Sequence, residues 1–302
     1  TTYNISSQSV FATGNDRNAG DSFGTSVIYN ETTKQIIASA PEQSYDTNSQ
    51  NYVQNSGAVY IWNVNSDNTL SYSQKIVSSS RSTNAYWGTN ISSNKNVIMV
   101  SQNPSTTSVP VDIFIFENST WVLSKTLNIA YSNYGFYTDG DNIFTSYAHS
   151  GTTLINVLPI SDLDGTAQEI DISAYRESIT DGNWYCTCSN GTLFVGFRDN
   201  STDKQGLNPI TNSGNGIVYK QQTDGTWKFY AKLTGWGQDR NANDRFGYCV
   251  KNSTNYLYIS AVTNPYDINS DNYLLNAGLV FVFGKNSDGS YSLIQKIQSN
   301  YR

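Results

Sequence analysis

Asp16-Arg17-Asn18-Ala19-Gly20-Asp21-Ser22-Phe23-Gly24 returns near the other end of the chain as Asp239-Arg240-Asn241-Ala242-Asn243-Asp244-Arg245-Phe246-Gly247. The residues after each copy match as well. Ser44-Tyr45-Asp46-Thr47-Asn48-Ser49, Gly57-Ala58-Val59-Tyr60-Ile61-Trp62 and Gln74-Lys75-Ile76 follow the first. Pro265-Tyr266-Asp267-Ile268-Asn269-Ser270, Gly278-Leu279-Val280-Phe281-Val282-Phe283 and Gln295-Lys296-Ile297 follow the second. Similarity sustained over a stretch this long marks one folding unit used several times.

Within the first copy, short apolar-polar alternations are separated by turn residues. Phe23 to Ile28, Gln35 to Ser39, Ala58 to Trp62 and Leu70 to Ile76 read as four strands of a meander. The pattern recurs with decay from Trp87-Gly88, from Tyr134-Gly135, from Trp184, and strongly again from Phe246-Gly247. Five units in 302 residues average about 60 residues each, the size of a four-stranded propeller blade. No stretch sustains a 3.6-residue period, so almost no helix is expected. The expected fold is all-β: a β-propeller of four-stranded antiparallel blades, five in number. One domain covers 1–302, with blades at approximately 14–76, 77–127, 128–172, 173–233 and 234–297. Residues 1–13, through Ile5 to Phe11, are expected to supply a ring-closing strand. The competing geometry is an open or larger ring cut from a longer protein.

Composition narrows the partners. Charged residues are 14% of the chain, below the usual quarter or so, and Tyr, Asn, Ser and Thr take their place. The net charge is -6 and no Lys/Arg cluster is present, which argues against nucleic acid and anionic membranes. No apolar run approaches the roughly 20 residues of a membrane helix. The chain does not begin with Met and reads as a mature or trimmed form. Asn-x-Ser/Thr sequons start at Asn4, Asn30, Asn90, Asn118, Asn190, Asn200 and Asn252, so a secreted form would be a candidate glycoprotein. Cys186, Cys188 and Cys249 read as buried free thiols, because an i, i+2 pair on a strand rarely meets disulfide geometry.

The motif Asp21-Ser22-Phe23-Gly24, then Ala38-Ser39-Ala40-Pro41, then Gly57 to Trp62 resembles the FG-GAP repeat of integrin-alpha-type propellers. Asp244, Phe246 and Gly247 with Gly278 to Phe283 repeat it; Trp87 with Gly88, Trp184, and Tyr134 with Gly135 vary it. The aromatic residue is expected to wedge between blades, the Gly to permit close backbone approach, and the Asp to cap turn amides. The resemblance implies an extracellular or cell- or virion-surface protein. It also implies a calcium loop between the first two strands. Here only Asp139-Gly140-Asp141 offers two carboxylates in that place, so no metal and no cofactor are expected.

Enzyme chemistry finds little purchase in the residues alone. The one His, His149, lies in a polar turn of the weakest blade. The carboxylates considered for glycoside cleavage are Asp16, Asp46, Asp112, Asp239 and Asp267, and four of these are matched repeat positions, where a single active site would break the repeat. The Asp162-Leu163-Asp164-Gly165 segment reads as a solvated turn. Binding fits better. Two long loops carry Tyr45, Asp46, Asn48 and Tyr52, and Tyr266, Asp267, Asn269 and Tyr273, a mixture suited to stacking and hydrogen-bonding a sugar. A third loop has Asp203, Lys204 and Asn208 without Tyr. The expectation is a non-catalytic recognition or adhesion propeller, lectin-like, with a glycan or cell-surface protein as partner. The alternatives are a structural surface or virion component and a carbohydrate-active enzyme.

Overall fold

The computed structural model describes residues 16, 18–103, 108–130, 136–149, 152–173, 184–203, 205, 207–235, 237–269 and 271–298. The fold is a β-propeller of five four-stranded antiparallel blades, as the repeat predicts. The chain divides into two compact units, Thr1–Tyr131 and Ser132–Arg302. The first unit holds two blades. One is β1 (Val27–Asn30), β2 (Gln35–Ala40), β3 (Ala58–Val64) and β4 (Leu70–Ile76); the other is β5 (Asn90–Asn94), β6 (Val97–Ser101), β7 (Ser108–Glu117) and β8 (Thr120–Ala130).

The second unit holds three. The first of them is β9 (Phe136–Thr138), β10 (Asn142–His149), β11 (Thr152–Pro159) and β12 (Gln168–Asp171). The next is β13 (Trp184–Ser189), β14 (Thr192–Phe197), β15 (Asn215–Gln221) and β16 (Trp227–Leu233). The last is β17 (Phe246–Asn252), β18 (Tyr256–Ala261), β19 (Leu279–Lys285) and β20 (Tyr291–Ile297).

Burial follows strand position. Two second strands are covered on both faces: Val97, Ile98, Met99 and Val100 of β6 are fully buried, and β14 is buried from end to end. Such runs belong to strands covered by neighbouring sheets on both sides. Fourth strands are more open, and β20 keeps Ile294 and Ile297 exposed. Four blades carry a register shift at the same point of the third strand, at Ile61/Trp62, Ile113/Phe114, Val218/Tyr219 and Val282/Phe283. A bulge there adds local twist to each blade at one place.

At two of the repeats the aromatic residue wedges between blades, whereas Phe23 packs edge-on against Tyr60 and Trp62 of its own blade. Trp87 packs with Ile37, Val59, Ile61 and Ile76 of the preceding blade and with Ile98, Val100 and Phe114 of its own. Phe246 lies among Phe194 and Val218 of one blade and Phe281 and Phe283 of the next. Its backbone partner is the glycine that opens the third strand of the preceding blade. Gly57 bridges Trp87, and Gly214 bridges Phe246. A Cβ on Gly57 would sit 2.0 Å from the Trp87 carbonyl oxygen, and its φ is +86°, so only glycine fits. Polar stitches reinforce the first junction. Gln74 exchanges two hydrogen bonds with the Trp121 backbone, and Trp121 Nε1 donates to Gln35 Oε1 at 2.9 Å.

Several boundaries differ from the sequence reading. In the first blade Phe23 and Gly24 precede the strand, which begins at Val27; Gly24 donates to the Ser39 carbonyl outside the ladder. In the fourth blade Gly214 holds the place that Gly57 holds in the first. Two short 3-10 segments, Ile160–Asp162 and Gly237–Asp239, are the helical elements among the described residues. Ile5 to Phe11, Tyr134 and Gly135, and the side chain of Trp184, lie outside the described residues.

Candidate functional site

The two loops singled out in the sequence lie in different units and are built alike. Asp46 Oδ1 accepts from the amides of Asn48 and Gln50, and its other oxygen accepts from Asn51. Asp267 Oδ1 accepts from Asn269 and Asp271, and Oδ2 from Asn272. Asp203 repeats the arrangement with Gln205, Leu207 and Asn208; Lys204 lies outside the described residues. The common pattern is Asp-x-Asn/Gln-x-x-Asn, a side-chain-closed turn. These hydrogen bonds, led by the Gln50 and Asp271 amides, hold Asp46 and Asp267 down at about 2. Tyr45 and Tyr52 close the first loop as an edge-to-face pair at 5.4 Å, and Tyr266 and Tyr273 close the other at 5.7 Å. Tyr52 and Tyr273 remain exposed.

Beneath each of these loops lies a second matched arrangement. Lys75 Nζ reaches Asp16 at 2.6 Å and also donates to the carbonyls of Tyr45 and Asp46. Lys296 meets Asp239 at 2.5 Å. Asp21 and Asp244 cap the turns before the repeat aromatic, accepting from the Asn18 and Asn241 amides. Arg81 spans from its own blade to Ser44 and Asn51 of the preceding one, and Arg240 likewise to Ser201 and Asn208. These groups order the repeat.

The remaining candidates are spent locally. Asp112 is buried and accepts from Trp87 Nε1 at 2.9 Å and Thr126 Oγ1 at 2.5 Å. Asp139 caps the amides of Asp141 and Asn142, and Asp162 accepts from Gly165 in a turn. The side chain of His149 is outside the described residues. The three cysteines are free; burial pushes the Cys186 thiol up to about 12 and raises Cys188 and Cys249. Among the described residues no group of three or more His, Cys, Asp or Glu side chains gathers as a metal site would require.

One polar cluster breaks the repeat, and sequence reasoning missed it. Strands β13 and β17 are adjacent first strands of neighbouring blades in the second unit. They set Tyr185 and Tyr248 side by side, with ring centroids 6.2 Å apart and planes 34° apart. Arg198, just past the end of β14, lays its guanidinium over the Tyr248 ring at 5.1 Å and donates through Nε to Asp199 Oδ2 at 3.2 Å. Arg245, just before β17, brings its Nε to 3.9 Å from Asp199 Oδ1. The approach of β14 to β17 depends on Gly196, whose Cβ would fall 2.2 Å from the Gly247 carbonyl oxygen. Burial, then the neighbouring Tyr248, raises the Tyr185 hydroxyl above its ordinary value.

The signal for this cluster was a mismatch between repeats. Where the fourth blade has Arg198, the first and fifth have Pro41 and Val262. Where the fifth has Arg245 and Tyr248, the first has Ser22 and Thr25. Aligning repeats for what they share hides these positions.

No family model matches the chain, and no curated protein matches it. Among solved structures, one described as a "putative 6-phosphogluconolactonase" from Bacteroides uniformis is 13% identical, covers 91% of this chain and 72% of its own, and superposes with a TM-score of 0.53. A second of the same description, from Bacteroides fragilis, is 10% identical over 90% of this chain and 70% of its own, with a TM-score of 0.45. A hypothetical selenium-binding protein from Sulfolobus tokodaii is 9% identical over 88% and 59%, with a TM-score of 0.47. The first likeness establishes the fold. It also corrects the expectation of a non-catalytic adhesion propeller that is not an enzyme. That expectation leaned on a fold associated with adhesion, whereas a solved neighbour of this fold carries the name of a sugar-lactone enzyme. A propeller frame hosts unrelated functions, and function must be argued from the site.

Proposed function

We propose that the chain is a carbohydrate-active enzyme that hydrolyses a sugar ester or lactone at the Tyr185–Arg198–Asp199–Arg245–Tyr248 cluster. The observation that carries this reading is the meeting of two guanidiniums, one carboxylate and two tyrosine rings at a place the repeat does not reproduce. A single active site is expected to break a repeat in this way. The name of the Bacteroides uniformis neighbour supports the same chemical class. The FG-GAP assignment and a surface location are further proposals resting on the motif alone.

The groups divide the work by chemistry. The tyrosine faces stack a sugar ring. A guanidinium N–H stabilises the negative charge that develops on the carbonyl oxygen when water adds. Asp199 accepts the proton that water loses. The acyl–oxygen bond then breaks, the ring oxygen takes up a proton and leaves as a hydroxyl, and a carboxylic acid is formed. Hydrolysis of a panel of aldonolactones and sugar esters, followed by acid release in weak buffer, tests this. The chain should exceed the spontaneous rate, and Asp199→Asn should lower kcat by about 100-fold or more. A rate equal to the buffer blank across the panel would sink the proposal.

A further inference from the structure

We infer that the arginine pair makes this site selective for a sugar bearing a negative charge, as a phosphate ester or a carboxylate. The inference rests on the reading that the cluster binds a sugar.

Charge is the first argument. The chain as a whole carries -6, yet this cluster sets two arginines against a single carboxylate. Of the neighbouring acids, Asp239 is paired with Lys296, and Asp244 directs one oxygen to Asn241 and Asn264. Among the described residues, both arginines find their ion pair in the one carboxylate of Asp199.

Hydrogen bonding is the second argument. Asp199 serves Arg198 directly, at 3.2 Å. The Arg245 side chain is 41% exposed, but its Nε is covered, makes no hydrogen bond, and stands 3.9 Å from the same carboxylate. A covered N–H without an acceptor costs free energy that an anionic ligand would recover, and the exposed end of the guanidinium leaves that ligand a way in. The planar, forked geometry of Arg suits the two oxygens of a phosphate or carboxylate.

The third argument comes from the backbone. Arg245 has a φ of 55°, a left-handed conformation that disfavours long side chains. Ser22 holds the matched position in the first blade with a φ of 54°. The turn therefore does not require arginine, and its presence at a strained position points to use. The flanking rings of Tyr185 and Tyr248 make the preferred ligand an anionic sugar rather than a bare anion.

Isothermal titration of the full chain with glucose 6-phosphate, glucuronate, glucose and inorganic phosphate tests the inference. At least one anionic sugar should bind about tenfold or more tighter than glucose and tighter than inorganic phosphate, with an affinity that falls as salt rises. The two anionic sugars separate a phosphate preference from a carboxylate one. Arg245→Ser installs the residue the repeat already tolerates, so its circular dichroism and unfolding midpoint should match the parent while the preference disappears. Arg245→Lys should restore part of it. Equal binding of glucose and both anionic sugars, no binding by any of the four, or a preference unchanged in Arg245→Ser would overturn the inference. So would inorganic phosphate binding as tightly as the sugar phosphate. Anion preference without turnover would sink only the hydrolytic reading, and turnover of a neutral lactone without anion preference would sink only this one.

Discussion

Burial pushes the Asp244 carboxyl up to about 6, against the opposing pull of its hydrogen bonds from Asn241 and Asn264. Its Oδ1 is buried without a partner. Asp21, at the matched position, is raised for the same first reason. The sign is clear: a carboxyl whose folded value lies above its unfolded value binds protons more tightly when folded. Its contribution to stability is present below pH 4 and is lost as pH rises through about 6. Asp46 and Asp267 act in the opposite sense. Held down at about 2, they contribute stability above pH 4 that is lost as pH falls through about 2. Asp244→Asn should therefore flatten the fall in unfolding free energy between pH 4 and 7 and leave the acid limb near pH 3 intact. Urea unfolding across that range measures it, and an unchanged slope would refute the assignment. Sequence marked Asp244 as a turn-capping residue. Only burial could reveal that this cap is held at a cost.

The blade junction is the element that most constrains the sequence. At the Trp87 and Phe246 junctions the repeat aromatic fills the gap between two sheets while the glycine before the preceding blade's third strand lets the backbones touch. Gly57→Ala should destabilise the protein by about 3 kcal/mol, because a new Cβ meets the Trp87 carbonyl and the residue is left in a left-handed conformation. Denaturant midpoints will show it. The same loss is expected for Gly214→Ala, whose Cβ would lie 2.0 Å from the Phe246 carbonyl oxygen. A loss below about 0.5 kcal/mol in both would mean the junction yields easily. The long loops make the contrasting case. Asp46, Asp203 and Asp267 each close their own turn, so the loop conformation is written within a span of about six residues. That span was legible, and its Tyr and Asn content suggested a ligand surface. The structure shows that the carboxylate oxygens are already taken up by turn amides.

At the scale of the molecule, repetition sets the energetics. Each blade contributes an intrinsic term and a junction term, so distant lesions should add. Gly57 lies in the first unit and Gly214 in the second, and they share no partner. The double variant should lose the sum of the single losses within about 0.5 kcal/mol. A clear departure from additivity would show cooperative coupling beyond nearest neighbours. Repetition also explains why the site escaped notice. Blade count, strand order and the wedge residues are shared among repeats and stand out on alignment. Arg198, Arg245 and Tyr248 differ from their counterparts, and a search for similarity discards them.

The sequence alone determined the propeller and the number of its blades, and it marked the wedge aromatics Trp87 and Phe246. Each depends on spacing over a few residues or on recurrence, and both survive in one dimension. The tertiary structure decided which unmatched residues meet. Tyr185 and Tyr248 are about 60 positions apart, and Asp199 and Arg245 about 45, so their encounter depends on how closely two blades can approach. That approach is set by Gly247, which the repeat marks, and by Gly196, which stands where the first and fifth repeats have Ser39 and Ser260.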